Sequence, residues 1–82
     1  MLKIYGSMLC KDCVACVQDL EKAGVAFEFL DFSQELVNLK TFLAIRDGSP
    51  LFAEVKAAGG IGIPCILEED GAVSLDWEKY LR

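Results

Sequence analysis

The sequence of 82 residues lacks histidine, has only two prolines and contains no long run of apolar residues. Without histidine, the chain cannot use a histidine base or build a zinc site from cysteine and histidine. Its apolar runs, such as residues 63–67, fall far short of the roughly 20 residues that a membrane-spanning helix needs. We therefore expect a protein that does not enter a membrane.

Basic residues are also scarce, with eight Lys and Arg against thirteen Asp and Glu and a net charge of −5. Such a surface repels phosphate backbones and anionic lipids, so neither nucleic acids nor membranes are expected partners. Residues 1–6 carry one lysine and no extended apolar stretch, and no secretory signal is therefore expected. These observations predict a cytoplasmic protein.

The composition is that of a folded chain, because 54% of its residues are hydrophobic. Its length allows one domain over residues 1–82. In a secreted protein, four cysteines would suggest two disulfides, but the expected lack of a signal favours reactive or ligating thiols in a reducing compartment. The four are Cys10, Cys13, Cys16 and Cys65.

Hydrophobic periodicity and turn residues predict the element order β-α-β-α-(α)-β-β-α. The predicted strands cover residues 2–5, 25–30, 63–67 and 72–75, and the predicted helices cover residues 11–23, 33–45, 50–58 and 77–82. Ser33, Ser49 and Asp76 are the expected N-caps, and Asp70-Gly71 is the expected hairpin turn. A parallel first pair and an antiparallel last pair give a four-stranded mixed sheet with helices on both faces.

The same periodicity predicts which side chains of the helices face the core. The expected inward residues are Cys13, Cys16, Val17 and Leu20 in the first helix, Leu36, Leu39, Phe42 and Leu43 in the second, and Leu51, Phe52 and Val55 in the third.

A C-x-x-C motif, Cys10-Lys11-Asp12-Cys13, lies between the first strand and the first helix. The free N–H groups at a helix N-terminus stabilise an anion such as a thiolate, which is the nucleophile of disulfide exchange. We therefore assign the attack to Cys10. Cys13, which lies one turn further along the apolar face, would resolve the mixed disulfide. Lys11 favours the Cys10 thiolate and Asp12 opposes it, so the motif leaves open whether the pair reduces or oxidises.

The second signal is Ile63-Pro64 at the start of the third strand, where a proline without an N–H group is tolerated. Together with the strand, motif and helix that precede it, this pair resembles the thioredoxin-like fold, and the chain is most similar to the glutaredoxins. The resemblance implies a glutaredoxin-type three-layer α/β/α sandwich in which Pro64 is cis and faces the cysteines. It also implies that the Ile63 backbone binds the substrate.

The resemblance further implies a thiol–disulfide oxidoreductase that takes part in cell redox homeostasis. Lys11, Asp12, Ile63, Pro64 and Asp76 are its candidate substrate-binding residues, and Asp76 is the one that would hold glutathione. We expect a monomer without a tightly bound cofactor, a protein disulfide as substrate, and glutathione or a reductase as the thiol donor. Glutathione is thus a candidate co-substrate. Because Lys11-Asp12 and Gly62-Ile63 differ from the Pro-Tyr and Thr-Val of typical glutaredoxins, a protein partner is the alternative to glutathione.

Two other cysteines leave alternatives open. Cys16 is expected in the core, and Cys65 is either a core residue or a third thiol near Cys10 and Cys13. In the second case these three would form an alternative disulfide or bind zinc or an iron–sulfur cluster. A binding module without catalysis is the third hypothesis. Lys3 and Arg46 are weaker candidates for binding a substrate carboxylate.

Overall fold

The computed structural model describes residues 1–81 as a four-stranded mixed β-sheet between two layers of helix. The strands are β1 (Leu2–Gly6), β2 (Phe27–Asp31), β3 (Cys65–Leu67) and β4 (Val73–Ser74), and the α-helices are α1 (Lys11–Lys22), α2 (Leu36–Asp47) and α3 (Ala53–Ala57). A 3-10 helix over Pro50–Phe52 precedes α3, and another over Trp77–Leu81 follows β4. Over residues 1–81, none of these helices has the length and hydropathy required to cross a membrane.

The strands are ordered β2-β1-β3-β4 across the sheet. β1 and β2 run parallel, which requires a crossover, and α1 provides it. β3 runs antiparallel to both β1 and β4, and β4 follows through the turn at Gly71, whose φ of +93° is accessible to glycine. The predicted mixed sheet with helices on both faces is confirmed.

Two hydrophobic clusters hold the layers together, one on each face of the sheet. Ile4 and Ile66 face α1, where they pack with Cys16 and Leu20. Their neighbours in the strands face α2 and α3, and this second cluster consists of Tyr5, Phe42, Phe52 and Cys65. Because successive side chains of a strand point to opposite faces, β1 and β3 are fixed from both sides.

The end of α1 explains why β2 begins at Phe27 rather than at the predicted residue 25. Gly24 has a φ of +72° and donates its N–H to the Glu21 carbonyl oxygen, while the Val25 N–H donates to the Leu20 carbonyl oxygen. This pair of hydrogen bonds is the Schellman motif, which satisfies the last carbonyls of a helix. Val25 therefore belongs to the helix end and not to the strand.

The second helix begins later than predicted, and Ser33 is not its N-cap. Glu35 occupies that position without a capping hydrogen bond from its side chain. The Ser33 hydroxyl donates to Asp31 and accepts from the Ser7 hydroxyl, so its hydrogen bonds are directed away from the first turn of α2. Local competition for a serine hydroxyl of this kind is common near helix starts.

The inner face of α2 is narrower than predicted. Phe42 is fully buried, and Leu39 and Ile45 pack against the same cluster. Leu36 and Leu43 were expected to be buried too, but their side chains are 65% and 38% exposed. Leu43 lies about 100° around the helix from Phe42, and Leu36 is the first residue of the helix, so the expectation was wrong for both.

Ser49 caps the segment before α3 as predicted, because its hydroxyl accepts the Leu51 N–H at 3.3 Å. The first turn is a 3-10 helix, whose different pitch buries Phe52 but leaves Leu51 46% exposed, contrary to the prediction. Asp76 also caps as predicted, since its carboxylate accepts the Glu78 N–H at 3.1 Å. The predicted last helix extended to Arg82, which lies outside the described residues.

Candidate functional site

Cys10 is the N-cap residue of α1, directly after the loop that follows β1. Its N–H donates to the Ser7 carbonyl oxygen at 3.0 Å, and its own carbonyl accepts the Val14 N–H at 3.1 Å, the first hydrogen bond of the helix. The Cys10 side chain is partly exposed and makes no capping hydrogen bond. A sulfur at this position is accessible from outside and lies next to the unpaired N–H groups of the first helical turn.

Cys13 lies one turn further along α1 and is fully buried. Burial raises the pKa of its thiol to about 12; a hydrogen bond from the Ser7 backbone opposes this rise, and a hydrogen bond with the Cys10 side chain adds to it. At neutral pH, Cys13 is therefore a protonated thiol. The two sulfurs are inequivalent, as their positions in the sequence predicted.

The absence of a side chain at Gly6 makes the space for Cys13. A Cβ atom at this position would lie 2.6 Å from the Cys13 sulfur, closer than two such atoms can approach. The first strand was predicted to end at residue 5, whereas in the structure Gly6 is the last residue of β1. Its role depends on a contact between two elements, which no local pattern indicates.

A groove of about 430 Å³ opens beside Cys10. Of the predicted substrate-binding residues, Asp12, Ile63 and Pro64 line it together with Cys10. The peptide bond between Ile63 and Pro64 is cis. Lys11 is exposed and Asp76 caps the last helical turn, and neither of them lines the groove.

The remaining walls of the groove come from residues that sequence analysis assigned to packing or left out. They are Val55, Gly60, Ile61, Gly62, Leu75 and Trp77. Trp77 packs against the α1 side of the core. Its indole N–H also donates to an Asp19 carboxylate oxygen at 3.0 Å, which fixes the ring at the groove.

A hydrogen-bonded chain supports the loop that carries Cys10. The Asp31 carboxylate accepts from the backbone N–H of Ser33 at 2.8 Å and from that of Met8 at 3.4 Å. The Ser7 hydroxyl donates to the Ser33 hydroxyl at 3.0 Å and accepts the Leu9 N–H at 3.1 Å. Hydrogen bonding, chiefly from the Ser33 side chain, lowers the pKa of Asp31. This chain ties the end of β2 to the loop before Cys10.

The segment before Pro64 is held from two sides. Gly62 has a φ of +95°, and a Cβ atom there would lie 2.7 Å from the Phe52 ring. Arg46, one of the weaker candidates for binding a carboxylate, donates to the Gly60 carbonyl oxygen at 3.2 Å. Lys3, the other candidate, lies near the opposite end of β1 and borders a different cavity.

The two further cysteines lie apart from the groove. Cys16 is fully buried against Ile4 and Leu20, and burial raises its pKa to about 12. Cys65 is fully buried in the cluster on the other face of the sheet, and burial raises its pKa to about 11. Within residues 1–81, no three Cys, Asp or Glu side chains form a group that could hold a metal ion. The alternative set of Cys10, Cys13 and Cys65 is therefore not assembled there.

Comparisons with known proteins give one informative match. No family model matches the sequence, and no solved structure matches it. An uncharacterized protein of Haemophilus influenzae is 39% identical over 76 residues, which cover 93% of this chain and 88% of the relative. At this identity and coverage, the chain belongs to the same family as the Haemophilus influenzae protein.

Proposed function

We propose that the protein is a dithiol thiol–disulfide oxidoreductase of glutaredoxin type, with Cys10 as the nucleophile and Cys13 as the resolving cysteine. The observation that carries the proposal is the pairing of these two thiols at the start of α1. Cys10 is partly exposed beside a groove, while Cys13 is buried one helical turn away from it. Disulfide exchange needs this combination of an accessible attacking sulfur and a nearby second thiol.

In the proposed reaction, the Cys10 thiolate attacks one sulfur of a substrate disulfide. A bond forms between that sulfur and Cys10, and the other substrate sulfur leaves as a thiolate. Cys13 then gives up its proton, which the departing thiolate accepts, and attacks the Cys10 sulfur. The second substrate sulfur leaves as a thiolate and takes a proton from water, so the substrate disulfide has become two thiols. The protein then holds a Cys10–Cys13 disulfide, and two electrons have passed to the substrate. Glutathione or a reductase would return the protein to the dithiol state.

The raised pKa of Cys13 supports the order of these steps. A thiol whose pKa is about 12 is almost entirely protonated at pH 7 and is a poor nucleophile in the free protein. In the mixed disulfide the Cys10 sulfur carries no charge, so its contribution to the raised pKa of Cys13 disappears. Cys13 thus becomes easier to deprotonate at the stage when it has to attack.

We also propose that the fold is thioredoxin-like. The mixed sheet flanked by helices, the C-x-x-C motif at the start of a helix and the cis Ile63–Pro64 peptide beside it support this assignment. On the same grounds we propose action on protein or glutathione mixed disulfides in the cytoplasm, where thiols are kept reduced.

The test is a titration of the purified protein in glutathione buffers of graded potential, with free thiols alkylated and counted by mass. We expect two thiols to disappear in one two-electron step. Cys10→Ser should abolish the step, and Cys13→Ser should instead accumulate a mixed disulfide on Cys10. Cys16→Ala is the matched control, since that thiol lies in the core and should leave the step in place.

Four free thiols throughout the range of potentials would contradict the proposal, as would a two-thiol step that survives in Cys10→Ser. Metal analysis of protein purified without oxygen would then test the alternative of a metal or iron–sulfur protein.

A further inference from the structure

The charge of the groove beside Cys10 disfavours an acidic ligand. Asp12 is the single charged residue among those that line it, and no lysine or arginine does. Lys11 is exposed outside the lining, and Arg46 is already engaged with the Gly60 carbonyl oxygen. A ligand carboxylate in this groove would face a carboxylate without a neighbouring cation, which is unfavourable.

The surface around the groove is apolar. Leu9, immediately before Cys10, is 89% exposed, and Met8 beside it is 45% exposed. Ile61, on the wall of the groove, is 53% exposed, and Leu75 and Trp77 add further apolar area. Large apolar side chains exposed next to a reactive group are typical of a surface that another protein covers.

We propose that the groove accepts an extended segment of a partner protein whose disulfide cysteine is flanked by apolar side chains and a basic residue. The apolar neighbours contact Leu9 and Ile61, and the basic residue pairs with Asp12. Glutathione disulfide, in which each half carries two carboxylates against one ammonium and is therefore negative overall, is a poorer substrate for the same reason. The inference rests on the proposed function, because it names the substrate class of the same exchange reaction.

The exchange itself is the balanced reaction given above. The substrate disulfide is reduced to two thiols, the Cys10–Cys13 dithiol is oxidised to a disulfide, and no further reactant takes part in this half of the cycle. The rate of this single turnover therefore measures selection by the groove without a contribution from the reductant.

The experiment compares three disulfides in single-turnover oxidation of the reduced protein. The first is the dimer of a blocked peptide with isoleucine before and lysine after its cysteine, the second has glutamate in place of lysine, and the third is glutathione disulfide. Each rate constant is divided by that of dithiothreitol with the same disulfide, which removes differences in intrinsic reactivity. We expect the lysine peptide to react on the order of tenfold faster than the other two.

Asp12→Lys tests the charge, and Asp47→Lys is its matched control, because Asp47 is exposed and does not line the groove. Asp12→Lys should reverse the preference so that the glutamate peptide and glutathione disulfide react faster than the lysine peptide, whereas Asp47→Lys should retain the wild-type order. Far-UV circular dichroism checks that both variants fold.

Equal normalised rates for the three disulfides in the wild-type protein would overturn the inference while leaving the oxidoreductase intact. An unchanged order of rates in Asp12→Lys would overturn it as well. If none of the three oxidises the wild-type dithiol, both the inference and the proposed function fail. Failure of the selectivity alone is thus distinguishable from failure of the chemistry.

Discussion

Replacing Gly6 with alanine tests whether the buried thiol of Cys13 is held as tightly as the structure implies. The added Cβ would lie 2.6 Å from the Cys13 sulfur and 3.5 Å from the Phe29 ring. The second distance is an ordinary van der Waals contact, so the first decides the outcome. Since Cys13 is fully buried, its sulfur can move only by displacing its neighbours or the start of α1.

Overpacking of this kind costs about 1–3 kcal/mol of the free energy of unfolding. Alanine restricts the unfolded chain more than glycine does, which offsets about 0.5–1 kcal/mol of that cost. Since a loss of 1 kcal/mol lowers the Tm of a domain of this size by about 4–8 °C, we expect Gly6→Ala to reduce Tm measurably.

A double-mutant cycle separates the clash from the general effect of alanine. Gly6→Ala, Cys13→Ala and the double variant are unfolded in urea under reducing conditions, and the free energies are compared. In the Cys13→Ala background the sulfur is absent, so Gly6→Ala should be nearly neutral there and the coupling energy should reach about 1 kcal/mol or more. If Gly6→Ala costs the same in both backgrounds, the Cys13 sulfur is not what Gly6 accommodates.

Three further predictions concern the buried thiols, Arg46 and Asp31. The free energy of unfolding should fall as the pH rises above about 9, because the folded chain holds thiol protons that the unfolded chain releases. Denaturation at a series of pH values between 8 and 11 measures this change, and a free energy of unfolding that does not vary with pH would contradict it. The thiols with raised pKa values are Cys13, Cys16 and Cys65. Arg46→Met should cost about 1 kcal/mol and speed amide hydrogen exchange over residues 60–62, since the Gly60 carbonyl oxygen loses its donor; unchanged exchange would argue against this role. Asp31→Asn should destabilise the protein at pH 7, and because the pKa of Asp31 is lowered, the difference from wild type should shrink as the pH falls below about 4. A difference that stays constant from pH 7 to pH 3 would rule out the carboxylate as its source.

Much of the fold follows from local signals in the sequence. Gly24 ends α1, Ser49 caps the segment before α3, and Gly71 turns the last hairpin, and each acts through its own backbone or a neighbouring N–H group. The predictions from the sequence were wrong where tertiary packing decides which side chains are buried or hydrogen-bonded. Ser33 is a residue type that favours the N-cap, but its hydroxyl bonds to Asp31 and Ser7. Leu43 is apolar, but it lies beside the packed face of α2 and is 38% exposed.

The candidate site was predictable where a motif is contiguous and unpredictable where it is assembled from distant elements. The unequal exposure of Cys10 and Cys13 follows from their spacing at a helix start. Cys65 was predicted as either a third thiol of the site or a core residue, and its burial beside Phe52 agrees with the second. The contact of Gly6 with Cys13 has no signal in the sequence, because the two residues belong to a strand and a helix whose packing distance is set by the whole core.

The pairing of the two central strands explains why the cysteine motif and the cis-proline meet. β1 and β3 are antiparallel neighbours, with Tyr5 opposite Cys65, so the end of β1 and the start of β3 lie at the same edge of the sheet. The C-x-x-C motif follows the first of these ends and Pro64 precedes the second. Any sequence that retains this register brings the two segments together, whatever the length of the chain between them. The alternation of Ile4 and Tyr5 between opposite cores fixes that register, because a shift by one residue would place each side chain in the wrong cluster.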